Sequence, residues 1–147
     1  MNNYIWIIVA LAAGALLPIQ AGLNTRLGKT IENPVYASLI SFVIGTIALA
    51  LYVVVTKQHV TWAGIKTAPF HIWLGGILGA FYVTAIVIVF PKIGPALTFG
   101  LIVTGQMVIS VLLDHTNILV AEAHSFSLWR LVGIILIVAG VVILRRF

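Results

Sequence analysis

Long apolar segments, separated by short polar connections, make up almost the whole chain. The apolar runs cover residues 4–23, 35–56, 72–91, 95–113 and 128–144. An α-helix rises about 1.5 Å per residue, so about 20 residues cross a hydrocarbon core roughly 30 Å thick. The pattern therefore predicts an all-α membrane protein in which five transmembrane helices form a single domain over residues 1–147.

The composition agrees with a location inside a bilayer. Hydrophobic residues make up 62% of the chain and charged residues 7%, whereas a soluble domain carries about 25% charged residues. So few charges cannot cover a water-facing surface. The runs are also continuous, unlike the strands of about 9–11 alternating residues that build membrane β-barrels. We therefore expect the lipid bilayer to be a partner of every helix.

The basic residues lie singly at the ends of the apolar runs. Nucleic-acid binding would gather them on one soluble face, so the net charge of +5 does not indicate it. Five spans divide these residues between the two sides of the membrane. One side has Arg26, Lys29, Lys92, Arg145 and Arg146, and the other has Lys57, Lys66 and Arg130.

This division favours the first side as cytoplasmic, because cytoplasmic loops carry more Lys and Arg. The margin of five against three is small. Two interpretations therefore stay open. One is an ordinary single topology, and the other is a dual topology in which copies insert both ways and pair antiparallel.

Small residues recur at helical spacing in two of the runs. Gly75 and Gly79 are four apart with Gly76 beside them, and Gly133 and Gly140 lie one heptad apart. Close backbone approach holds helices together in lipid, where no hydrophobic force acts between them. We expect these glycines to pack helices, with a role at a moving interface as the alternative.

Polar residues interrupt the fourth run. Gln106, Ser110 and Asp114 are spaced i, i+4, i+8 and share one stripe of a helix. Tyr82 lies at a similar depth in the preceding run, and Thr104 is close to Gln106. Polar groups at that depth need a partner or a water-filled cavity. They either join helices by hydrogen bonds or line a substrate pathway.

The first run ends in a second polar pair. Gln20 and Asn24 follow Pro18, which removes a backbone donor and predicts a bend. A bend frees carbonyl groups that can bind ligands. The alternative is a capped, kinked helix end with Asn24 at the membrane surface. A loop over residues 24–33 is expected to follow the helix. In either case Gln20 is expected nearer one membrane face than Gln106.

Enzymatic chemistry has little support in the sequence. The chain has no cysteine, and its histidines are scattered without the spacing of metal ligands. No nucleophile has an adjacent base, and no glycine-rich loop precedes a helix as a phosphate cradle. We expect no catalytic site, metal or cofactor. Asp114, Glu32 and Glu122 all lie outside the centres of the runs, which disfavours proton exchange at a midplane carboxylate.

Short motifs in a definite order extend over essentially the whole chain. They are Gln20-Ala21-Gly22-Leu23-Asn24 with Gly28, Gly75-Gly76-x-x-Gly79-Ala80-x-Tyr82, Pro91-x-x-Gly94, Gly105-Gln106, Asp114-His115 and Arg130-x-x-Gly133. In this order they resemble the YdcZ-like family, a group of short five-helix bacterial proteins in the drug/metabolite transporter superfamily.

The resemblance implies a multi-pass protein of the inner membrane, similar to one half of a ten-helix inverted-repeat transporter and working as an antiparallel pair. It implies no particular substrate. Related four-helix multidrug exporters use a glutamate in their first helix, and this chain has none there. Drug/proton exchange by their mechanism is therefore not expected.

The expected function is a small secondary transporter that moves an unidentified small molecule by alternating access as an antiparallel homodimer. The expected pathway residues are Gln20, Asn24, Tyr82, Thr104, Gln106 and Ser110. The alternative, from another class, is a structural or regulatory membrane subunit that transports nothing. A sealed interior with paired polar groups would favour that alternative.

Overall fold

The computed structural model describes residues 3–116, 118–119 and 127–147, and these residues include no β-strand. The helices are α1 (Asn3–Thr30), α2 (Pro34–Val55), α3 (Trp62–Thr67), a 3₁₀ turn (Phe70–Trp73), α4 (Leu74–Ile93), α5 (Pro95–Thr116) and α6 (Leu128–Arg146). Five helical segments of the described residues are long and apolar enough to span a membrane, and they include every helix except α3, with the 3₁₀ turn and α4 together forming one span. The prediction of an all-α protein with five spans is confirmed.

Helix α1 differs most from the sequence-based expectation, because it continues through Pro18 to Thr30. The predicted end at residue 23 and the predicted loop over 24–33 are therefore replaced by helix and a short turn. One face of the C-terminal part of α1 is buried in the fold, and it includes Ala21, Asn24 and Gly28. Tertiary packing on that face maintains a helix that local polarity alone would end.

The turn after α1 is tight and well bonded. The amide of Asn33 donates to the carbonyl of Gly28 at 2.9 Å. The side chain of Asn33 then caps α2, since its oxygen accepts hydrogen bonds from the amides of Val35 and Tyr36. Pro34 suits the first position of a helix, where no amide donor is needed. The turn therefore reverses the chain and directs α2 back along α1.

A second tight turn joins α4 to α5 at Gly94. Its φ of +82° lies in the left-handed region, which costs glycine nothing and other residues a steric penalty. Pro95 then begins α5. The connection between the second and third apolar runs is longer, and it has helical structure of its own in α3 and the 3₁₀ turn.

The chain forms two compact units that meet in sequence between Lys92 and Ile93. In the first unit α1 and α2 are antiparallel neighbours, and α4 contributes Val87 and Phe90 to contacts with the glycines of α1. In the second unit α5 and α6 are antiparallel neighbours. The single-domain organisation expected from the sequence stays a prediction.

The buried apolar core of the described residues is small. Its members are Ala21, Ala37, Ile86, Val87 and Val141. Most large apolar side chains on the five spans are exposed instead, which in water would be an aggregation hazard. Hydrocarbon can cover such surfaces at no cost, so this distribution is the one expected of helices in a bilayer.

Candidate functional site

A buried polar group of the first unit joins α1 to α2. Asn24 is 7% exposed, and its side-chain nitrogen donates to the hydroxyl oxygen of Ser41 at 3.1 Å. Asn24 therefore lies within the helix pair, not at the membrane surface as a kinked helix end would require. Its position follows from the extension of α1 beyond residue 23.

Gln20 lies one turn before Asn24 and lines a cleft between α1 and α2. The cleft has a volume of about 220 Å³ and also includes Ser41, Gly45 and Val83. Gly45 is at the middle of α2 (Pro34–Val55), so Gln20 lies at mid-span. The expectation that Gln20 lies nearer one membrane face than Gln106 stays a prediction.

Tyr82 approaches the same two residues from α4. Gln20, Asn24 and Tyr82 line a second space of only about 10 Å³, which is at the lower limit for one water molecule. The hydroxyl oxygen of Tyr82 is buried. We call Gln20, Asn24, Ser41 and Tyr82 the mid-span cluster. The structure thus places Tyr82 with the polar pair of α1, a combination that the sequence did not predict.

The remaining predicted pathway residues lie on α5 in the second unit. Thr104 is half-buried and donates its hydroxyl to the carbonyl of Gly100 at 2.9 Å. Such a bond within one helix satisfies the hydroxyl without any ligand. Gln106 and Ser110 are exposed, and Gln106 is at the middle of its helix. These residues do not form a cluster within their own unit.

An ion pair links the ends of α5 and α6. The guanidinium of Arg130 donates to the carboxylate of Asp114 at 2.8 Å, and the two side chains are 30% and 28% exposed. The sequence analysis places Asp114 outside the centre of its apolar run and predicts no partner for it. Opposite charges on either side of one interhelical connection were the signal that could have indicated the pairing.

The five glycines predicted to pack helices differ in their surroundings. A methyl group added at Gly79 would lie 3.8 Å from the ring of Phe42, an ordinary contact between α4 and α2. At the other four, an added methyl would meet none of the described residues of another helix within 4 Å, namely at Gly75, Gly76, Gly133 and Gly140. The packing role of these four glycines stays a prediction, and it requires that another helix cover them.

The tightest glycines are two that sequence reasoning did not select. A methyl group on Gly100 would lie 2.8 Å from a methyl of Val141 on α6, and one on Gly28 would lie 3.3 Å from the Cα of Pro34. Gly100 lies between Ala96 and Thr104 at four-residue spacing on α5, a small-residue pattern that is typical of helix contacts in membranes. That spacing does not tell which helix crosses at Gly100, and in the structure the neighbour is Val141 of α6.

A family comparison decides what kind of protein carries this geometry. The model of a family described as "Putative inner membrane exporter, YdcZ" matches residues 5–143. The chain belongs to the YdcZ family. The resemblance inferred from the motifs is therefore confirmed. The protein is a multi-pass protein of the inner membrane, and its family description supports a transporter-like role.

One curated relative extends over the full length of the chain. The "Inner membrane protein YdcZ" of Escherichia coli strain K12 is 27% identical over 153 residues, and the match covers 99% of both chains. No solved structure matches this YdcZ-family protein. Among the described residues no three His, Cys, Asp or Glu side chains gather as metal ligands; Glu122 lies outside the described residues.

Proposed function

We propose that this YdcZ-family protein is a small secondary transporter that moves a small molecule across the inner membrane by alternating access. The mid-span cluster carries the proposal. Gln20, Asn24 and Tyr82 line one small space between otherwise apolar helices. Polar groups at such depth are costly in hydrocarbon and usually mark a ligand site or pathway.

Helix packing alone accounts for only part of this cluster. Asn24 and Ser41 satisfy each other, as interhelical hydrogen bonds do in membranes. Gln20 is exposed and lines the cleft of about 220 Å³. Its amide offers two donors and one acceptor, so in a bilayer it calls for water or a substrate in that cleft. Gln20 is thus the proposed substrate contact, with Asn24 and Tyr82 behind it.

The proposed working form is an antiparallel homodimer, equivalent to a ten-helix inverted-repeat transporter. Gln106 is exposed at the middle of α5, and four predicted packing glycines have open space beside them. A second copy would cover both features. The proposed contribution of Gln106, Thr104 and Ser110 to the pathway depends on that second copy, since inverted repeats form their site at the repeat interface.

The first test asks whether the cleft contains water. The chain has no cysteine, so Gln20→Cys introduces a single thiol. Reaction with a charged, water-soluble thiol reagent requires a thiolate and therefore water. The matched control is Ile19→Cys, the adjacent residue of α1, which is 59% exposed on the apolar surface. We expect Gln20→Cys to react in membranes and Ile19→Cys to remain unmodified.

Equal protection of both thiols would mean a dry cleft and would sink the transport proposal. That outcome would favour the second candidate, a structural or regulatory subunit that transports nothing. The bond between Asn24 and Ser41 and the space of only about 10 Å³ beside Tyr82 support this candidate. A compound that raises the melting temperature of the wild type but not of Gln20→Ala would support transport.

The second test concerns the pair of copies. Glu32→Cys places a thiol in the exposed turn between α1 and α2. Labelling this thiol from both sides of the membrane is expected for copies inserted in both directions. Labelling from one side alone would rule out dual topology, and with it the antiparallel homodimer, while leaving the water-filled cleft of Gln20 to be judged separately.

A further inference from the structure

A second cleft lies at one end of the first unit, where α1 ends, α2 begins and α4 ends. Its volume is about 410 Å³, within the size range of small-molecule sites. Lys29 and Lys92 line it, together with Glu32 and Thr25. Val87 and Ile88 of α4 form an apolar side. We call this space the basic cleft, and it shares no lining polar residue with the mid-span cluster.

The charges of the basic cleft favour an anion. Lys29 is in the last turn of α1 and Lys92 in the last turn of α4. Both side chains are exposed, and neither forms an ion pair with a carboxylate of the described residues. Glu32 contributes one negative charge to the same lining. The cleft therefore has a net charge of +1, which suits an anion of a single charge.

Thr25 adds a donor that no described group uses. The residue is 7% exposed, and its hydroxyl oxygen is buried without a hydrogen-bond partner among the described residues. Threonines elsewhere in the apolar helices donate to their own helix, as Thr46 does to Phe42 at 2.8 Å and Thr98 to Gly94 at 2.6 Å. A buried unpaired hydroxyl is costly, and Thr25 is one of the residues that line the basic cleft.

We propose that the basic cleft binds the phosphate group of a singly charged phosphodiester. The ammonium groups of Lys29 and Lys92 hold the phosphate by charge, and the Thr25 hydroxyl donates a hydrogen bond to one of its oxygens. The apolar side along Val87 and Ile88 accommodates hydrocarbon. An anionic glycerophospholipid has this combination, and basic pockets between membrane helices bind such headgroups. The site does not depend on the proposed transport.

The decisive measurement uses native mass spectrometry to detect lipid binding to the purified full-length protein in detergent. The probes are phosphatidylglycerol, which is anionic, and phosphatidylcholine, which is zwitterionic. We expect preferential binding of phosphatidylglycerol to the wild type. Removing a lysine near a membrane surface weakens such binding about fivefold, so the Lys29→Gln/Lys92→Gln protein should bind roughly 25-fold more weakly.

The matched control is Lys57→Gln/Lys66→Gln, which removes the same charge from two residues outside the basic cleft. It should bind phosphatidylglycerol like the wild type. Thr25→Val retains the shape of the side chain and removes the hydroxyl, and its binding should fall about twofold to tenfold. Circular dichroism of each variant separates a lost site from a lost fold.

Equal binding by the wild type and Lys29→Gln/Lys92→Gln would overturn the proposal, as would an equal loss in the control pair or equal affinity for both lipids. Unchanged binding by Thr25→Val would show that the Thr25 hydroxyl does not bond to the phosphate. The phosphate group could belong to a lipid or to a water-soluble phosphate compound, and competition with inorganic phosphate at constant ionic strength distinguishes the two. Displacement of phosphatidylglycerol by phosphate indicates a free phosphate compound, and no displacement indicates a lipid.

Discussion

The two units use polar residues in different ways. The first unit buries Asn24 and Thr25 among its helices, has clefts beside them, and joins α1 to α2 through the hydrogen bond between Asn24 and Ser41. The second unit also buries a polar residue, Thr98, but its hydroxyl bonds to the carbonyl of Gly94 one turn before it. Gln106 of the same unit is exposed. The first unit therefore has the parts of a site, whereas the second has polar residues that require cover from elsewhere.

The largest expected effect tests the tight crossing of the second unit. Gly100→Leu forces a side chain into Val141, where even a methyl group would lie at 2.8 Å. Overpacking of this kind costs about 1–3 kcal/mol. We expect a lower melting temperature in detergent, and the double variant Gly100→Leu/Val141→Ala should regain part of it. Gly105→Leu is the control, because a methyl added there meets no neighbouring helix within 4 Å.

A melting temperature of Gly100→Leu equal to that of Gly105→Leu would contradict the close contact between α5 and α6. Close packing between helices would then not be a feature of the second unit. The stability of the second unit would not depend on this crossing.

An intermediate effect is expected in the first unit. Asn24→Leu removes the donor to Ser41 and leaves a shape of similar size. Interhelical hydrogen bonds in membranes contribute about 0.6–2 kcal/mol, so the variant should unfold that much more easily. Ser41→Ala alone should cost a similar amount, and the double variant should cost less than the sum, because each single change already breaks the bond.

Chemical unfolding in mixed micelles measures this cycle. Strictly additive losses would show that Asn24 and Ser41 act independently. The mid-span cluster would then lose its evidence for a connected polar arrangement in the first unit.

The smallest effect is expected for the ion pair of the second unit. Arg130→Gln should cost about 0–1 kcal/mol of stability, since Arg130 and Asp114 are both about one-third exposed and water screens them. The loss should shrink as salt rises. A cycle with Asp114→Asn measures the coupling. A loss that is large and independent of salt would show that this pair is shielded from water.

Hydropathy was sufficient to predict the five spans, and motif order was sufficient to identify the family. The end of α1 could not be predicted, because residues 24–33 contain amides, charges and glycine that are typical of loops. Only contact with α2 and α4 keeps residues 24–30 helical. The extension also explains why the grouping of Tyr82 with Gln20 and Asn24 around one small space was not predicted.

The sequence by itself determined that this chain lies in a bilayer, how often it can cross, and which family it belongs to. These properties depend on the transfer of successive side chains into hydrocarbon and on local order along the chain. Only the tertiary structure decided which polar groups are paired. Asn24 with Ser41, Arg130 with Asp114, and the unpaired hydroxyl of Thr25 all depend on contacts between helices. Those contacts arise from close packing in three dimensions, which a one-dimensional pattern of polarity does not specify.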